Sequence, residues 1–380
     1  MGFWLKCQLI SFLLPAMYKA IIFISIGLMR VCLISVVLTG LIFFSCKENT
    51  KMDFDYNSIP STYHMKGEVI IDSMMSPQSV DFYKSSIFSI ESGGKYKLKV
   101  YDNETGHEVY SAIEGGRGVN EMLQPWTLCV RGDTCWIFDL ILKKMIGICN
   151  PNNPNCTICK EFVFKDRNSE MVIPKTNSTF IGIGFSDSLK QFTEYNGSGQ
   201  IIRTFGSFPD IVPKNFVEGA EDALFYGTVY KSKIGLSYEQ KRIAVAYTRF
   251  NMIDIFDFEG RLLKRIRGPE EINVKVERVS PRPGMVMYDA SPKYLAYRQI
   301  KTGQEEIWVS HSGVVLTRDN YLQTVPHKIY CFSWDGELVR ELQFDIPVND
   351  FAIDWENKKL YCLSEHLYPC VYFFSLKGII

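Results

Sequence analysis

The sequence predicts an all-β chain: a six-bladed β-propeller of four-stranded antiparallel blades, its ring closed by an N-terminal strand. Three observations predict it. One strand–turn–strand phrase recurs six times, two-residue alternation of apolar and polar residues is common where helical periodicity is rare, and the last copy of the phrase ends at the C-terminus. A β-sandwich would also give many short strands, but not one turn phrase repeated down the chain.

The clearest copy lies in Met252–Ile272, where an apolar strand runs into an Asp257-to-Gly260 turn, a second strand and a Gly268-Pro269 exit. Its relatives are Leu98–Ala112, Trp136–Ile148, Gln191–Phe205, Ile329–Leu342 and Val371–Ile380. Most hold Asp or Asn and Gly in the turn, because Gly supplies the positive φ such turns need. The second copy departs, with Leu140-Ile141-Leu142 at the turn. Inner strands precede several copies, as in Leu128–Val130 with Cys135–Phe138 and Phe351–Asp354 with Leu360–Leu363. The aromatic before each turn (Tyr101, Phe138, Tyr195, Phe256, Phe332, Phe374) marks the spacing. From Tyr101 to Phe138 is 37 residues, and from Phe256 to Phe332 is 76. A four-stranded blade takes ~40–50 residues, so the long interval holds either an insertion or a seventh blade around Tyr294–Thr317. With the last copy at the C-terminus, Tyr63–Asp72 is the strand expected to close the ring.

The first 45 residues differ from the rest. Apolar segments Leu9–Leu28 and Val31–Phe44 are separated by Met29-Arg30, and the second ends in Ser45-Cys46. A basic start, a short apolar core and a small residue before Cys make a secretory signal rather than a spanning helix, which needs ~20 apolar residues. Leu41–Cys46 resembles a bacterial lipobox, with Phe43 where Leu is usual, which implies lipidation of Cys46. The expected organisation is an over-extended start or extra apolar segment (1–28), a lipoprotein signal peptide (29–45), a lipidated Cys with a polar tether (46–60) and the propeller (61–380). Met1, Met17 and Met29 all stand as candidate starts. Acyl chains would hold the protein to a membrane, and the location expected is the cell envelope, lipid-anchored at the outer membrane, facing the periplasm or the surface.

Composition narrows the partners. Of 380 residues, 46% are hydrophobic and 22% charged, with 42 basic against 42 acidic. No basic stripe of the kind that neutralises phosphates occurs, which argues against nucleic acid.

Gly116-Arg117-Gly118-Val119-Asn120-Glu121-Met122, three residues before Pro125, and the echo Arg267-Gly268-Pro269-Glu270-Glu271-Ile272 follow blade copies. Together with the signal and Cys46, they resemble the six-bladed β-propeller lipoproteins of Bacteroidetes. That resemblance implies a TolB-like or NHL-like propeller of mostly uncharacterised function.

Residues able to carry chemistry are scattered. Past Cys46 stand Cys129, Cys135, Cys149, Cys156, Cys159, Cys331, Cys362 and Cys370. An oxidising compartment allows disulfides: within the Cys149–Cys159 loop, between Cys129 and Cys135, or between Cys362 and Cys370. Zinc wants four ligands, and no fourth Cys or His stands at suitable spacing in that loop. Arg131-Gly132-Asp133 reads as a turn. His64, His107, His311, His327 and His366 form no metal motif. Carboxylates Glu121, Asp187, Asp222, Glu271, Asp289 and Asp350 would serve a site converging from several blades, or be solvated loop residues. Trp126, Tyr226, Tyr230, Tyr247, Tyr288 and Trp308 would line one face and stack on sugars, or pack between blades. Gly115–Gly118 lacks a following helix, so it reads as a blade link, with Arg117 and Glu121 pairing, rather than a phosphate loop.

No catalytic residue, metal or cofactor is assigned. Two readings follow: a binding or scaffolding protein for a protein or carbohydrate ligand, favoured, and a metal-dependent hydrolase or lyase with its site at the central channel.

Overall fold

A computed structural model describes residues 51–53, 59–166, 168–184, 189–211, 221–268, 274–282, 285–317, 320, 324–365 and 368–380. The chain divides into two compact units, Met1–Thr50 and Lys51–Ile380. Everything described below belongs to the second; Cys46 and the signal segment lie outside the described residues.

Three short strands lead the chain: β1 (Lys51–Asp53), β2 (Thr62–Met65) and β3 (Glu68–Ile71). Blade 1 follows as β4 (Pro77–Tyr83), β5 (Ser86–Glu91), β6 (Tyr96–Asp102) and β7 (Glu108–Glu114). Blade 2 is β8 (Pro125–Arg131), β9 (Thr134–Asp139), β10 (Lys144–Cys149) and β11 (Thr157–Val163). Blade 3 is β12 (Ser169–Pro174), β13 (Thr179–Gly184), β14 (Phe192–Asn196) and β15 (Ile201–Phe205). Helix α1 (Glu221–Val229) then precedes blade 4, made of β16 (Ser232–Ser237), β17 (Arg242–Tyr247), β18 (Met252–Asp257) and β19 (Leu262–Arg267). A separate hairpin, β20 (Lys275–Arg282) with β21 (Met285–Ser291), precedes blade 5: β22 (Tyr294–Thr302), β23 (Glu306–Val315), β24 (Lys328–Ser333) and β25 (Leu338–Phe344). Blade 6 has β26 (Asp350–Asp354), β27 (Lys359–Ser364) and β28 (Cys370–Ser375), with β3 as its fourth strand. Six blades therefore form the ring, closed by an N-terminal strand as expected. First strands of neighbouring blades touch, β4 with β8, β8 with β12, β16 with β22, β22 with β26, and β26 with β4, so they line the axis.

The repeated phrase is the outer strand pair. Its turns at Asn196–Gln200, Asp257–Arg261 and Ser333–Glu337 share one hydrogen-bond pattern, for example Gly260 N to Asp257 O at 3.0 Å and Asp257 N to Arg261 O at 3.0 Å, and Asp102–His107 makes the same pair of bonds around one extra residue. The turn glycines Gly106, Gly199, Gly260 and Gly336 all have positive φ, between 69° and 87°. A bulge sits beside the marker aromatic in each, at Tyr101, Tyr195, Phe256 and Phe332. These glycines are needed twice over: a Cβ on Gly106 would stand 1.8 Å from Ile70 O, and one on Gly260 2.5 Å from the Phe205 ring, each on the outer strand of the preceding blade.

Several expectations change. The 76-residue interval holds the β20–β21 hairpin, and Tyr294–Thr317 is the inner pair of blade 5, so there is no seventh blade. The Trp136–Ile148 copy is the second and third strand of blade 2. Its Leu140–Leu142 turn is held by Asp139, whose Oδ1 accepts the N–H groups of Ile141 (2.8 Å) and Leu142 (2.7 Å). Residues after β28 form a turn rather than a strand, since β3 already occupies the fourth position. The closing stretch Tyr63–Asp72 is split: β2 adds parallel to β25 of blade 5, and only β3 completes blade 6. Within the stretch 46–60, β1 pairs parallel with β19 of blade 4.

Alternation places the core between blades. The largest buried cluster joins blades 3 and 4 with α1 and the extra hairpin, through Phe192, Phe225, Tyr230, Tyr247, Phe256 and Tyr288 among others. Smaller clusters fill the remaining interfaces, such as Ile71, Val80, Tyr101 and Leu363 between blades 6 and 1.

Candidate functional site

First strands run down the axis, so the rim where they begin carries the blade-to-blade links and the loops between second and third strands. The opposite rim carries short turns. The insertions lie on the first rim: α1 and β20–β21 are both in links, and the long β23–β24 connection joins a second to a third strand. On that rim opens a cavity of about 350 Å³ lined by Gln78, Trp126, Lys231, Lys233, Thr248, Leu295–Gln299, Asn349 and Glu365. Five of the six blades contribute. A second cavity of about 280 Å³ continues past Trp126, Lys233 and Gln299, which line both, towards Asp81, Cys129, Tyr238, Lys301 and Trp355.

The two cavities differ in how their charges are settled. In the inner one, carboxylates are consumed by the ring. Ser79, which lines it, donates its Oγ proton to Asp350 Oδ2 at 2.5 Å, and Val80 N donates to the same oxygen at 3.0 Å, so blade 6 is clasped to blade 1. Asp81 Oδ2 accepts Val130 N at 2.8 Å, clasping blade 1 to blade 2. Lys301 donates to Val80 O at 2.7 Å and lies 3.8 Å from Asp81. Burial raises the Asp81 carboxyl against the pull of Lys301. For Lys301, burial favours the neutral amine, but Asp350 and Asp81 outweigh it and hold the amine above its ordinary value.

The mouth is different. Lys233, the second residue of the short strand SKIGLS, sits 5.2 Å from the Trp126 ring centroid. Burial brings its amine down to about 8, with Asp350 and Glu170 pulling it up and Lys231 and Arg298 pushing it further down. Among the described residues Lys231 pairs with Glu170 at 3.3 Å, whereas neither Lys233 nor Arg298 has an ion-pair partner. Glu365 accepts Asn349 Nδ2 at 3.1 Å.

The residues singled out in the sequence fall as follows. Glu121 Oε2 accepts Gly118 N at 2.7 Å, closing its own loop instead of pairing with Arg117, and a Cβ on Gly116 would meet that carboxylate at 2.0 Å. Lys144 ties Gly118 O (3.0 Å) to Glu161 (2.8 Å), so Gly116–Glu121 is a structural link between blades 1 and 2. Gly268 donates to Asn251 O at 2.9 Å, at the exit of β19. Pro269, Glu270, Glu271 and Asp187 lie outside the described residues; Asp222 falls in α1 and Asp289 in β21. Asp350 is the clasp described above. Of the aromatics, Trp126 alone lines the mouth. Tyr226 and Tyr230 stack with Phe208 and Phe250. Tyr247 OH donates to Asp254 at 3.0 Å, Tyr288 packs on Phe225, and Trp308 is fully buried with Nε1 donating to Glu306 at 2.7 Å.

Arg131-Gly132-Asp133 is a turn, with the Arg131 guanidinium 3.4 Å from the Tyr238 ring centroid and Asp133 accepting Tyr83 OH at 2.7 Å. One disulfide forms, Cys149–Cys159. Cys129 and Cys135 are one step out of register, on opposite faces; Cys370 pairs with Ser364, two residues past Cys362. All four are free thiols. His311 is buried, its Nε2 2.8 Å from Asn251 Oδ1 and its ring between Tyr297 and Tyr330. Among the described residues no group of three or more His, Cys, Asp and Glu is placed to hold a metal ion.

Sequence reading missed Lys233 and Arg298. The available signal was a cation in a first strand, where neighbours are apolar or small.

The chain resembles solved propellers. A member of the DUF4221 family from Bacteroides vulgatus superposes with a TM-score of 0.58 at 10% identity, over 81% of this chain and 96% of that one. Looser likenesses are the β-propeller domain of Myceliophteria thermophila Cps50 (Swd1), TM-score 0.47 at 12% identity over 81% and 99% of the chains, and BamB from Moraxella catarrhalis, 0.40 at 13% over 80% and 86%. No curated protein matches in sequence. The family model described as TolB-like 6-blade propeller-like matches residues 59–356, and the chain belongs to that family.

Proposed function

We propose that this is an exported, lipid-anchored binding protein of the cell envelope, whose ligand seats in the channel mouth. One observation carries the binding reading: the cavity of about 350 Å³ opens on the rim that bears the insertions, with polar and aromatic side chains from five blades facing it. Ligand pockets of ~300–1,000 Å³ with a few convergent polar groups are the usual size for small molecules. The lipid anchor rests on the sequence pattern ending at Cys46. A metal-dependent hydrolase or lyase would need carboxylates or His converging on the axis, and the axial carboxylates Asp81 and Asp350 are occupied by backbone and hydroxyl donors from neighbouring blades.

The test uses detergent-extracted full-length protein and a variant, Gln299→Trp, that fills the point where the cavities meet. Small molecules that raise the thermal midpoint of the wild type should fail to raise that of Gln299→Trp, while the unliganded midpoints stay close. Stabilisers that act equally on both would move the site elsewhere. Activity that disappears with a stoichiometric divalent ion on chelation would establish the enzyme reading instead.

A further inference from the structure

Resting on the mouth as the binding site, we infer that its ligand is a small organic anion, held by its carboxylate or phosphate group between Lys233 and Arg298. The argument is one of uncompensated charge. A cation withdrawn from bulk water is costly unless paired, and this ring pairs its other axial charges: Lys301 with Asp81, Lys231 with Glu170. Lys233, half-buried, and Arg298, exposed at the rim, come from blades 4 and 5 and line the same cavity; neither has an ion-pair partner among the described residues, and the cost of an unpaired cation falls on Lys233. Among the described residues the one carboxylate lining that cavity, Glu365, is bonded to Asn349. What Lys233 does contact is the Trp126 ring, at 5.2 Å, a weak substitute for a carboxylate. Burial chiefly depresses the Lys233 amine; Asp350 and Glu170 offset part of that, and Lys231 and Arg298 add a repulsion that a bound anion would relieve. The geometry also sets a size limit. A molecule confined to about 350 Å³ is a single ring or a short acid, not a polymer.

The experiment reads Lys233 directly. The detergent-extracted protein is acetylated briefly at about pH 8, where an amine depressed to about 8 is about half neutral and reacts ahead of ordinary surface lysines, which are almost wholly protonated, and the peptide bearing Lys233 is quantified by mass spectrometry. Inorganic phosphate, glucuronate and neutral glucose are added separately. Phosphate or glucuronate should slow labelling of Lys233, about tenfold at ten times the dissociation constant, and leave other lysines unchanged. Arg298→Gln should weaken that protection, and glucose should give none. Equal protection by glucose would overturn the anion inference while leaving the mouth as a site. Labelling of Lys233 unaffected by both anions would also overturn it. If Lys233 does not react at all, and Gln299→Trp changes nothing, the mouth is closed and the binding reading falls with it.

Discussion

At the scale of single residues, this ring distinguishes charges that hold it together from one that does not. Asp81, Asp350 and Asp139 each collect backbone N–H donors across a blade boundary or a turn, which is how buried carboxylates are made tolerable. His311 is the buried group whose titration should be felt. Burial, with Lys328 nearby, brings it from 6.5 down to about 3. A group whose folded value is depressed contributes stability that is complete above its unfolded value and lost as pH falls toward the folded one. The wild type should therefore lose stability between about pH 6.5 and pH 3, by a few kcal/mol at the acid end. His311→Phe keeps a ring between Tyr297 and Tyr330 and removes the proton site. Urea midpoints measured at several pH values should show a shallower acid decline in the variant; equal slopes would place the sensitivity elsewhere.

At the scale of elements, the outer hairpin is where sequence and structure agree best, because its turn is locally encoded. Asp or Asn at the start, Gly in the left-handed region and an aromatic at the bulge lie within a few residues of each other. Gly106 and Gly132 make a direct comparison. Both have positive φ, but a Cβ on Gly106 would meet Ile70 O at 1.8 Å, whereas Gly132 has nothing within 4 Å. Gly132→Ala should cost about 1–2 kcal/mol, the left-handed penalty alone, and Gly106→Ala clearly more, since the backbone of the preceding blade must also shift. Denaturant unfolding of the two variants checks the order. What was not legible has a common cause. The blade 2 copy was misplaced because its true outer turn is the Asn150–Cys156 loop under the Cys149–Cys159 disulfide, which carries no Asp-to-Gly turn. Of the mouth, Trp126 alone was legible, as a candidate face-lining aromatic; Lys233 and Arg298 went unread because they are single residues on two other blades. Nothing in their spacing along the chain announces that the ring brings them together.

At the scale of the whole molecule, the N-terminal segment does more than close the circle. β1, β2 and β3 lie on the outer edges of blades 4, 5 and 6 in turn. Only β3 completes a blade, and its Ile71 is buried between blades 6 and 1. Removing the chain through Asp53 should thus leave a cooperatively unfolding ring. Removing it through Ile71 should abolish cooperative unfolding and bring aggregation, as Val371 and Tyr372 lose their strand partners. Urea titration with light scattering separates the two truncations. Retained cooperativity in the longer truncation would show that blade 6 holds with three strands.

That peripheral belt also decides where the ring is still open to strand addition. Blades 4 and 5 carry a fifth strand over their outer edges, so their backbone ladders are already capped. Among the described residues, β7, β11 and β15 have no such cover. A partner that docks by adding a strand has blades 1 to 3 and the β3 edge of blade 6 to choose from, which gives the rotationally repetitive ring a front and a back around its circumference.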